Sequence, residues 1–506
     1  MLATSLTAAV LGVDAHLVRV EADTASGFPR FVMLGLPDSS VRESEGRIRA
    51  ALRNCGYEFK WDRRITVSMS PASLRKMGSS YDLATAIGLL AADGIVPDQP
   101  LEQVLLVGEL ALDGSLRAVN GLLPMLLMAR QQGIKAAIVP SLNAHEAAMV
   151  KGVDVYPVRS LPDAVALAGC ADRPPASLPA PLIPPAARSL DMADVRGQAL
   201  ARRALEVAAA GGHNLLLVGS PGSGKTMLAR RLPGLLPPLT EEEALETTAV
   251  HSAHGSPLDA LIGWRPFRSP HHTTSRQALV GGGTLPRPGE ISLAHNGVLF
   301  LDELPEFRRD TLEALRQPLE EGTVSVVRAR ARLQFPARFS LLAAMNPCPC
   351  GHLGDPRYSC RCPPPLVERY RGRVSGPLLD RIDLHVEVPA VSLKELRSSA
   401  GESTETVARR VAAARSLQLD RFGLGTPTPN NAAMGPEQLR RFCAVDPAGR
   451  ALLDRAFERL GLSARALDRV LKVARTIADL AGSDAIRAAH LAEAIQYRSL
   501  DRRVVG

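Results

Sequence analysis

Eight residues limit what this chain can fold into more than any others. Gly219-Ser220-Pro221-Gly222-Ser223-Gly224-Lys225-Thr226 follows the short apolar run Asn214–Val218 and precedes a helical run from Met227. The pattern is G-x-x-x-x-G-K-[ST] set between a strand and a helix. Its glycines let the backbone wrap closely around phosphates, with N–H groups and the helix N-terminus aimed at the anion. Lys225 would reach the β- and γ-phosphates, and the Thr226 hydroxyl would ligate Mg²⁺. Lysine is scarce here: seven of the sixty basic residues are Lys, and Lys225 is the only one between Lys151 and Lys394. A bare Gly-rich turn ahead of a helix is the competing reading, and the flanking strand and helix weigh against it.

Two further strand ends complete the chemistry. Val298–Leu301 is a continuous apolar run, suited to a buried parallel strand, and it ends in Asp302-Glu303. The carboxyl end of such a strand is where α/β ligands bind. Asp302 would hold the Mg²⁺, directly or through water, and Glu303 would orient and polarise the attacking water. A second apolar strand, Phe339–Met345, ends in Asn346-Pro347. Asn346 could bond the water or the γ-phosphate, although Asn-Pro is also an ordinary turn.

The rest of the chain divides by composition. At roughly 150 residues per domain, 506 residues suggest about three domains. Residues 1–170 alternate strand-like and helix-like segments. His16–Ala22, Phe31–Leu36 and Ile65–Ser70 read as strands, Ser39–Arg53, Asp82–Ala92 and Leu122–Gln131 as helices, and Val104–Val119 as a hairpin turning at Asp113-Gly114. Residues 171–189 are so rich in proline that neither a helix nor a central strand can persist, which makes them an extended linker. Residues 190–390 form a second α/β segment, and residues 391–506 read as a mostly helical domain, with apolar positions at helical spacing in Leu452–Leu460 and Ala466–Leu480. The apolar share of 46% and charged share of 22% are globular. No apolar run approaches the ~18 residues of a membrane span. No basic residue precedes Arg19, so the start lacks the charged head of a secretory signal. Seven Cys in so long a chain make no disulfide framework. A soluble cytoplasmic protein with no membrane partner is the expectation.

Five stretches carry a family resemblance: Asp194–Thr226, Pro266–Ser275, Pro288–Glu303, Ala344–Gly351 and Ser375–Asp383. Together they resemble the ComM/YifB group of magnesium-chelatase-like AAA+ ATPases, over essentially the whole chain. The resemblance implies an AAA+ P-loop α/β ATPase core with a C-terminal helical lid, and ATP and Mg²⁺ as cofactors. It places Asn346 at the sensor-1 position, Arg381 as an arginine finger reaching a neighbour's nucleotide, and Arg465 at the sensor-2 position on the lid. A finger acts only between assembled subunits, which implies a homo-oligomeric ring, most simply a hexamer. The family's implied activity is helicase-driven branch migration of DNA in homologous recombination during natural transformation. A protein-remodelling ATPase is the alternative. The segment Gly108–Leu122 resembles the Lon-type protease fold, an S5-domain-2-like α/β domain. Ser80 lies in the matching nucleophile region, but Leu123 falls near the place of the base and no Lys lies within Ala118–Ile134, so the expectation is a non-proteolytic domain.

The charge then acquires a location. The net charge is +8, yet residues 1–170 carry a net −1 and residues 322–375 a net +7. Thr323–Phe339 reads as two strands in a hairpin, and alternation puts Arg328, Arg330 and Arg332 on one face. Related helicases carry a hairpin before sensor 1 that enters the ring pore, and three Arg there suit a DNA phosphate backbone. A solvated strand face is the plain alternative. Arg268 to Thr274, with His271 and His272, resembles a second pore loop. Aromatics are only 4%, which disfavours base stacking. Cys348 and Cys350, separated by nine intervening residues from Cys360 and Cys362, offer four thiolates to Zn²⁺; a redox disulfide or reduced loop thiols are the other readings.

Overall fold

The structure is a computed structural model describing residues 1–170, 190–255, 260–283, 287–328, 331–355, 357–392, 395, 397, 401–423 and 429–498, with the side chains of 327, 328, 331 and 332 outside the description. The expected linker, residues 171–189, therefore lies outside the described residues, as does Arg330. The chain divides into two compact units. One comprises Met1–Pro185, Glu241–Gly263 and Ala329–Gln334; the other comprises Ala186–Thr240, Trp264–Arg328 and Phe335–Gly506.

The first unit is a mixed sheet. Its strands are β1 (Leu2–Leu11), β2 (Asp14–Ala25), β3 (Arg30–Leu34), β4 (Arg64–Ser70), β5 (Val104–Leu106), β8 (Ala136–Pro140) and β9 (Asp154–Val158), in the order β3-β4-β2-β1-β5-β8-β9. A small antiparallel hairpin, β6 (Glu109–Leu110) and β7 (Leu116–Arg117), stands beside it. The helix Asp82–Ala92 has every residue buried, because its apolar residues run all round rather than along one stripe. Two sequence expectations need correction. The expected helix Ser39–Arg53 is two helices, Ser39–Arg42 and Ser44–Asn54, separated at Glu43, where the Ser44 hydroxyl bonds the Val41 carbonyl (2.6 Å). Side-chain bonds of this kind compete with helical backbone bonds. Likewise, only Glu109–Arg117 forms the hairpin around Asp113-Gly114; the fully buried Val104–Leu106 instead joins β1 and β8 as a parallel strand. An all-apolar run gains most where both faces are covered.

The helix Glu241–His254 packs in this first unit, although it lies in sequence beyond the phosphate loop. Leu245 and Ala249 join the core around Leu122–Met128, the Ser252 hydroxyl donates to Glu146 (2.6 Å), and Lys151 pairs with Glu241 (2.7 Å).

The second unit carries a parallel sheet of β10 (Leu215–Val218), β11 (Phe267–Arg268), β14 (Val298–Leu301), β17 (Ser340–Met345) and β18 (Leu384–Glu387), ordered β11-β14-β17-β10-β18. One short pair accompanies it, β12 (Gly281–Gly282) with β13 (Arg287–Pro288), and the hairpin of β15 (Thr323–Arg328) and β16 (Ala331–Pro336) precedes β17 in the chain. β10, β14 and β17 are apolar over nearly their whole length and almost wholly buried. The helices Ala199–Gly211, Thr404–Phe422, Pro447–Leu460, Ala464–Leu480 and Ala488–Gln496 share one apolar core with the sheet. Among the described residues no helix is long and apolar enough to cross a membrane.

A buried charge ties helix to sheet. Burial alone would raise the Asp383 carboxyl, but the Arg469 guanidinium, His213 and the Asn214 N–H (2.9 Å) hold it far below the ordinary carboxylate range. Removing one partner of a buried pair costs roughly 3–5 kcal/mol, because the other charge is left uncompensated. Arg469→Ala should therefore lower the stability of this unit by about that much, read as a drop in thermal midpoint at neutral pH. The folded carboxyl lies below its unfolded value, so this contribution is complete above about pH 4 and is lost only in stronger acid. The gap between variant and wild type should narrow as the pH is taken below that point.

Candidate active site

Parallel strands point their carboxyl ends to one edge, and there the reactive residues gather. The phosphate loop leaves β10 with Gly222 and Gly224 at φ +75° and +91°, a region that favours glycine. Gly219 has no room for a side chain: a Cβ there would lie 2.2 Å from the Val388 carbonyl oxygen. Gly224 then caps the helix Lys225–Ala229, whose free N–H groups make an anion site.

Lys225 is almost buried, and its Nζ donates to the Gly219 carbonyl (2.7 Å), the Ser220 carbonyl (3.0 Å) and Oδ1 of Asn346 (3.3 Å). Burial lowers the ammonium from its ordinary value, against the opposing pull of Asp302 and Glu303. The Thr226 hydroxyl donates to Oδ2 of Asp302 (2.7 Å). A hydroxyl and a carboxylate converging in this way are hard oxygen donors that fit Mg²⁺. Glu303 is half exposed, at φ +52°, and its N–H donates to Oδ1 of Asp302 (2.9 Å). A non-glycine residue in the left-handed region is uncommon, and here it turns the Glu303 side chain away from the strand.

The structure thus brings Lys225, Thr226, Asp302, Glu303 and Asn346 together. No described hydrogen bond or ion pair joins Arg381 or Arg465 to them. Arg381 is only 6% exposed, with Nη1 on the Pro377 carbonyl (2.6 Å) and Nη2 on Glu320 (2.5 Å). Arg465 is exposed in the first turn of Ala464–Leu480. Arg268 ends β11 in a two-pronged bond to Glu290 (2.7 and 2.8 Å). His271 Nδ1 meets the Thr273 hydroxyl (2.9 Å), and its ring lies 4.1 Å from that of His272. Arg328 ends β15 and Arg332 lies in β16; their side chains, like all of Arg330, lie outside the described residues.

Three contacts escaped sequence reasoning. His272 places Nδ1 3.3 Å from a carboxylate oxygen of Glu303, tying the expected base to the loop after β11. Gln198 donates to the carbonyls of Ser223 (3.3 Å) and Pro389 (2.5 Å), bracing the phosphate loop from behind. The Arg357 N–H (2.8 Å), with a smaller contribution from the nearby Ser220 hydroxyl, holds the Asp355 carboxyl below its ordinary value. A motif match reports which residues are present, not which of them meet across the fold.

The four cysteines converge. Cys348 Sγ lies 3.4 Å from Cys350 Sγ and 3.6 Å from Cys360 Sγ, and all four sulfurs lie within 4.8 Å of one another. Backbone N–H groups of His352 and Arg361 pull the Cys350 thiol down to about 6. Among the described residues this is the one cluster of three or more metal-ligating side chains. In the first unit, Leu123 is fully buried and Ser79 bonds Glu109, while the Ser80 carbonyl accepts from Gly108 N–H. The buried lysine there is Lys76, whose ammonium donates to the carbonyls of Met69 (2.8 Å) and Pro71.

With this geometry in view, comparison with known proteins is decisive. Three family descriptions match in succession: subunit ChlI of Mg-chelatase over residues 20–143, magnesium chelatase subunit ChlI over 191–396, and its C-terminal part over 401–498. Competence protein ComM of Haemophilus influenzae is 45% identical over 99% of this chain and 98% of its own length. The chain belongs to the ComM/YifB family of magnesium-chelatase-like AAA+ ATPases. Protein YifB of Escherichia coli is also 45% identical, over 99% of this chain and 97% of its own. The magnesium-chelatase 67 kDa subunit of Heliobacterium mobile is more distant, 26% identical over 45% of this chain and 38% of its own. For a ComM/YifB protein, ATP and Mg²⁺ are the implied ligands of the loop just described, and the cysteine cluster is a further group able to bind a metal.

The geometry separates binding from hydrolysis. Lys225→Ala should abolish both, whereas Glu303→Gln should bind an ATP analogue while losing about 10²-fold or more in turnover. Fluorescent-nucleotide titration beside a phosphate-release assay checks the split.

Proposed function

We propose that this chain is the subunit of a ring-shaped, ATP-driven DNA motor acting in branch migration during recombination linked to natural transformation. The observation that carries the reading is one of order along the chain. The Arg-bearing strands β15 and β16 lead directly into β17, whose end bears Asn346 against Lys225. A group gripping DNA through Arg328, Arg330 and Arg332 would therefore be contiguous with the group that senses the γ-phosphate. The net +7 of residues 322–375 and the likeness to a protein named for competence support it.

In this mechanism Lys225 and the loop N–H groups bind the phosphates, and Thr226 and Asp302 hold Mg²⁺. When bound, the Mg²⁺ neutralises charge on the phosphate oxygens. Glu303 orients water and takes its proton, and Asn346 aligns that water with the γ-phosphate. Arg381 of one chain completes the site of its neighbour in a hexamer, and Arg465 closes it from the helical lid, residues 391–506. Residues 190–390 are the AAA+ core and residues 1–170 a non-proteolytic module of the cytoplasmic assembly, joined by the linker 171–189. Arg268, His271 and His272 form a second DNA-facing loop, and Cys348, Cys350, Cys360 and Cys362 bind Zn²⁺.

The likeness to a magnesium-chelatase subunit favours a second reading, in which the motor remodels a protein. ATPase rates with and without four-way DNA separate the two. DNA should accelerate hydrolysis, and replacing Arg328, Arg330 and Arg332 together by Ala should remove the acceleration. Each lost phosphate contact should also flatten the salt dependence by about one in log–log slope. Hydrolysis indifferent to DNA in the wild type would overturn the motor reading.

A further inference from the structure

The cysteine loop, residues 348–362, does not stand apart from the nucleotide site. Asn346, whose Oδ1 faces Lys225, is two residues from Cys348. Gly351 sits at φ +81° directly against the phosphate loop, where a Cβ would lie 2.5 Å from Cδ of Pro221. The Asp355 side chain, 1% exposed, lies near Ser220 of the same loop, with its Oδ2 buried and without a hydrogen-bond partner. On the far side the loop is anchored by the Arg371 guanidinium, which donates to the Pro347 carbonyl (3.1 Å). Two consecutive phosphate-loop residues, Ser220 and Pro221, and the sensor asparagine therefore all rest on one short segment.

That segment has neither helix nor strand among its described residues. Two local backbone bonds turn it, from Gly351 N–H to the Cys348 carbonyl (3.0 Å) and from Asp355 N–H to the His352 carbonyl (3.1 Å), and the four sulfurs converge across it. Their separations of 3.4, 3.6 and 3.6 Å are far longer than the ~2.05 Å of a disulfide. They approach the roughly 3.8 Å edge of a tetrahedron with sulfurs about 2.3 Å from a central zinc. Four thiolates leave no open position, which is the donor set of a structural zinc and not of a catalytic one.

We propose that Zn²⁺ bound by Cys348, Cys350, Cys360 and Cys362 makes the loop a clamp on the phosphate loop, so that nucleotide binding requires the zinc. This rests on the reading of Gly219–Thr226 as the ATP site. The zinc never touches nucleotide; it acts by fixing Gly351 behind Pro221 and Asp355 beside Ser220. It is thus distinct from the Mg²⁺ of Thr226 and Asp302.

The full chain, purified without added metal, is assayed for zinc by atomic emission and for affinity with a fluorescent ATP analogue in Mg²⁺. The expected result is one zinc per chain. Stripping it with a zinc-selective chelator should weaken nucleotide binding by about tenfold or more, since small misplacements of a binding group are costly, and Zn²⁺ should restore it where extra Mg²⁺ does not. Cys360→Ser should lose zinc and affinity together. Asp355→Asn, which touches no sulfur, should keep the zinc and still bind nucleotide more weakly, a result that misfolding at the metal site would not give. A chain without zinc overturns the metal site. Zinc whose removal leaves nucleotide affinity unchanged, or an Asp355→Asn variant with wild-type affinity, overturns the clamp and leaves the ATP site standing. A zinc-loaded chain that binds no nucleotide overturns the ATP-site reading itself.

Discussion

The parallel ladder of β10 with its neighbours fixes the position of every reactive group. Val218 pairs with Met345 on one side and with Glu387 on the other. The next residue on each strand is then Gly219, Asn346 and Val388. The Gly219 N–H donates to the Met345 carbonyl (3.2 Å), and the Val388 N–H to the Val218 carbonyl (2.7 Å). β14 joins β17 with Leu301 opposite Ala343, so Asp302 emerges at the same edge. A slip of one residue on any of these strands would turn its side chains to the other face and carry its terminal residue out of the site.

The groups at that edge are paired with one another in ways that nucleotide would replace. Lys225 turns its ammonium onto carbonyls of its own loop, and Thr226 donates to Asp302. A buried ammonium must be hydrogen-bonded or its desolvation goes uncompensated. The phosphate oxygens of ATP would take over these donors, so binding exchanges one set of bonds for another and leaves few groups unsatisfied. Thr226 and Glu303 are the exposed members, and His272 is the partner of Glu303.

What was legible in the sequence was what lies next to a strand end. Val298–Leu301 and Phe339–Met345 announce buried strands by composition, and the polar residue after each is then placed by the fold. The cysteines were legible as a set, because two C-x-C pairs flank glycines that let the chain fold back. The illegible part is contact between residues far apart in sequence. Nothing in Arg268 foretells Glu290, nothing in Arg381 foretells Glu320, and nothing in Asp355 foretells Ser220, because such pairs depend on the angles at which loops leave the sheet. The assignment of Glu241–His254 to the first unit was hidden for the same reason: its apolar residues say that one face is covered, not by what. Val104–Leu106 misled because an apolar run beside a tight-turn dipeptide looks like the arm of a hairpin.

β18 is only four residues long, yet different loads meet at its two ends. At its start, Asp383 is fastened to Arg469 and so to the long helix Ala464–Leu480. Past its far end, the Val388 carbonyl stands so close to Gly219 that not even a methyl group would fit between them. One short strand, sharing its ladder bonds with β10, thus joins the helix Ala464–Leu480 to the first glycine of the phosphate loop, so a substitution at Arg469 lies a single strand away from the nucleotide site.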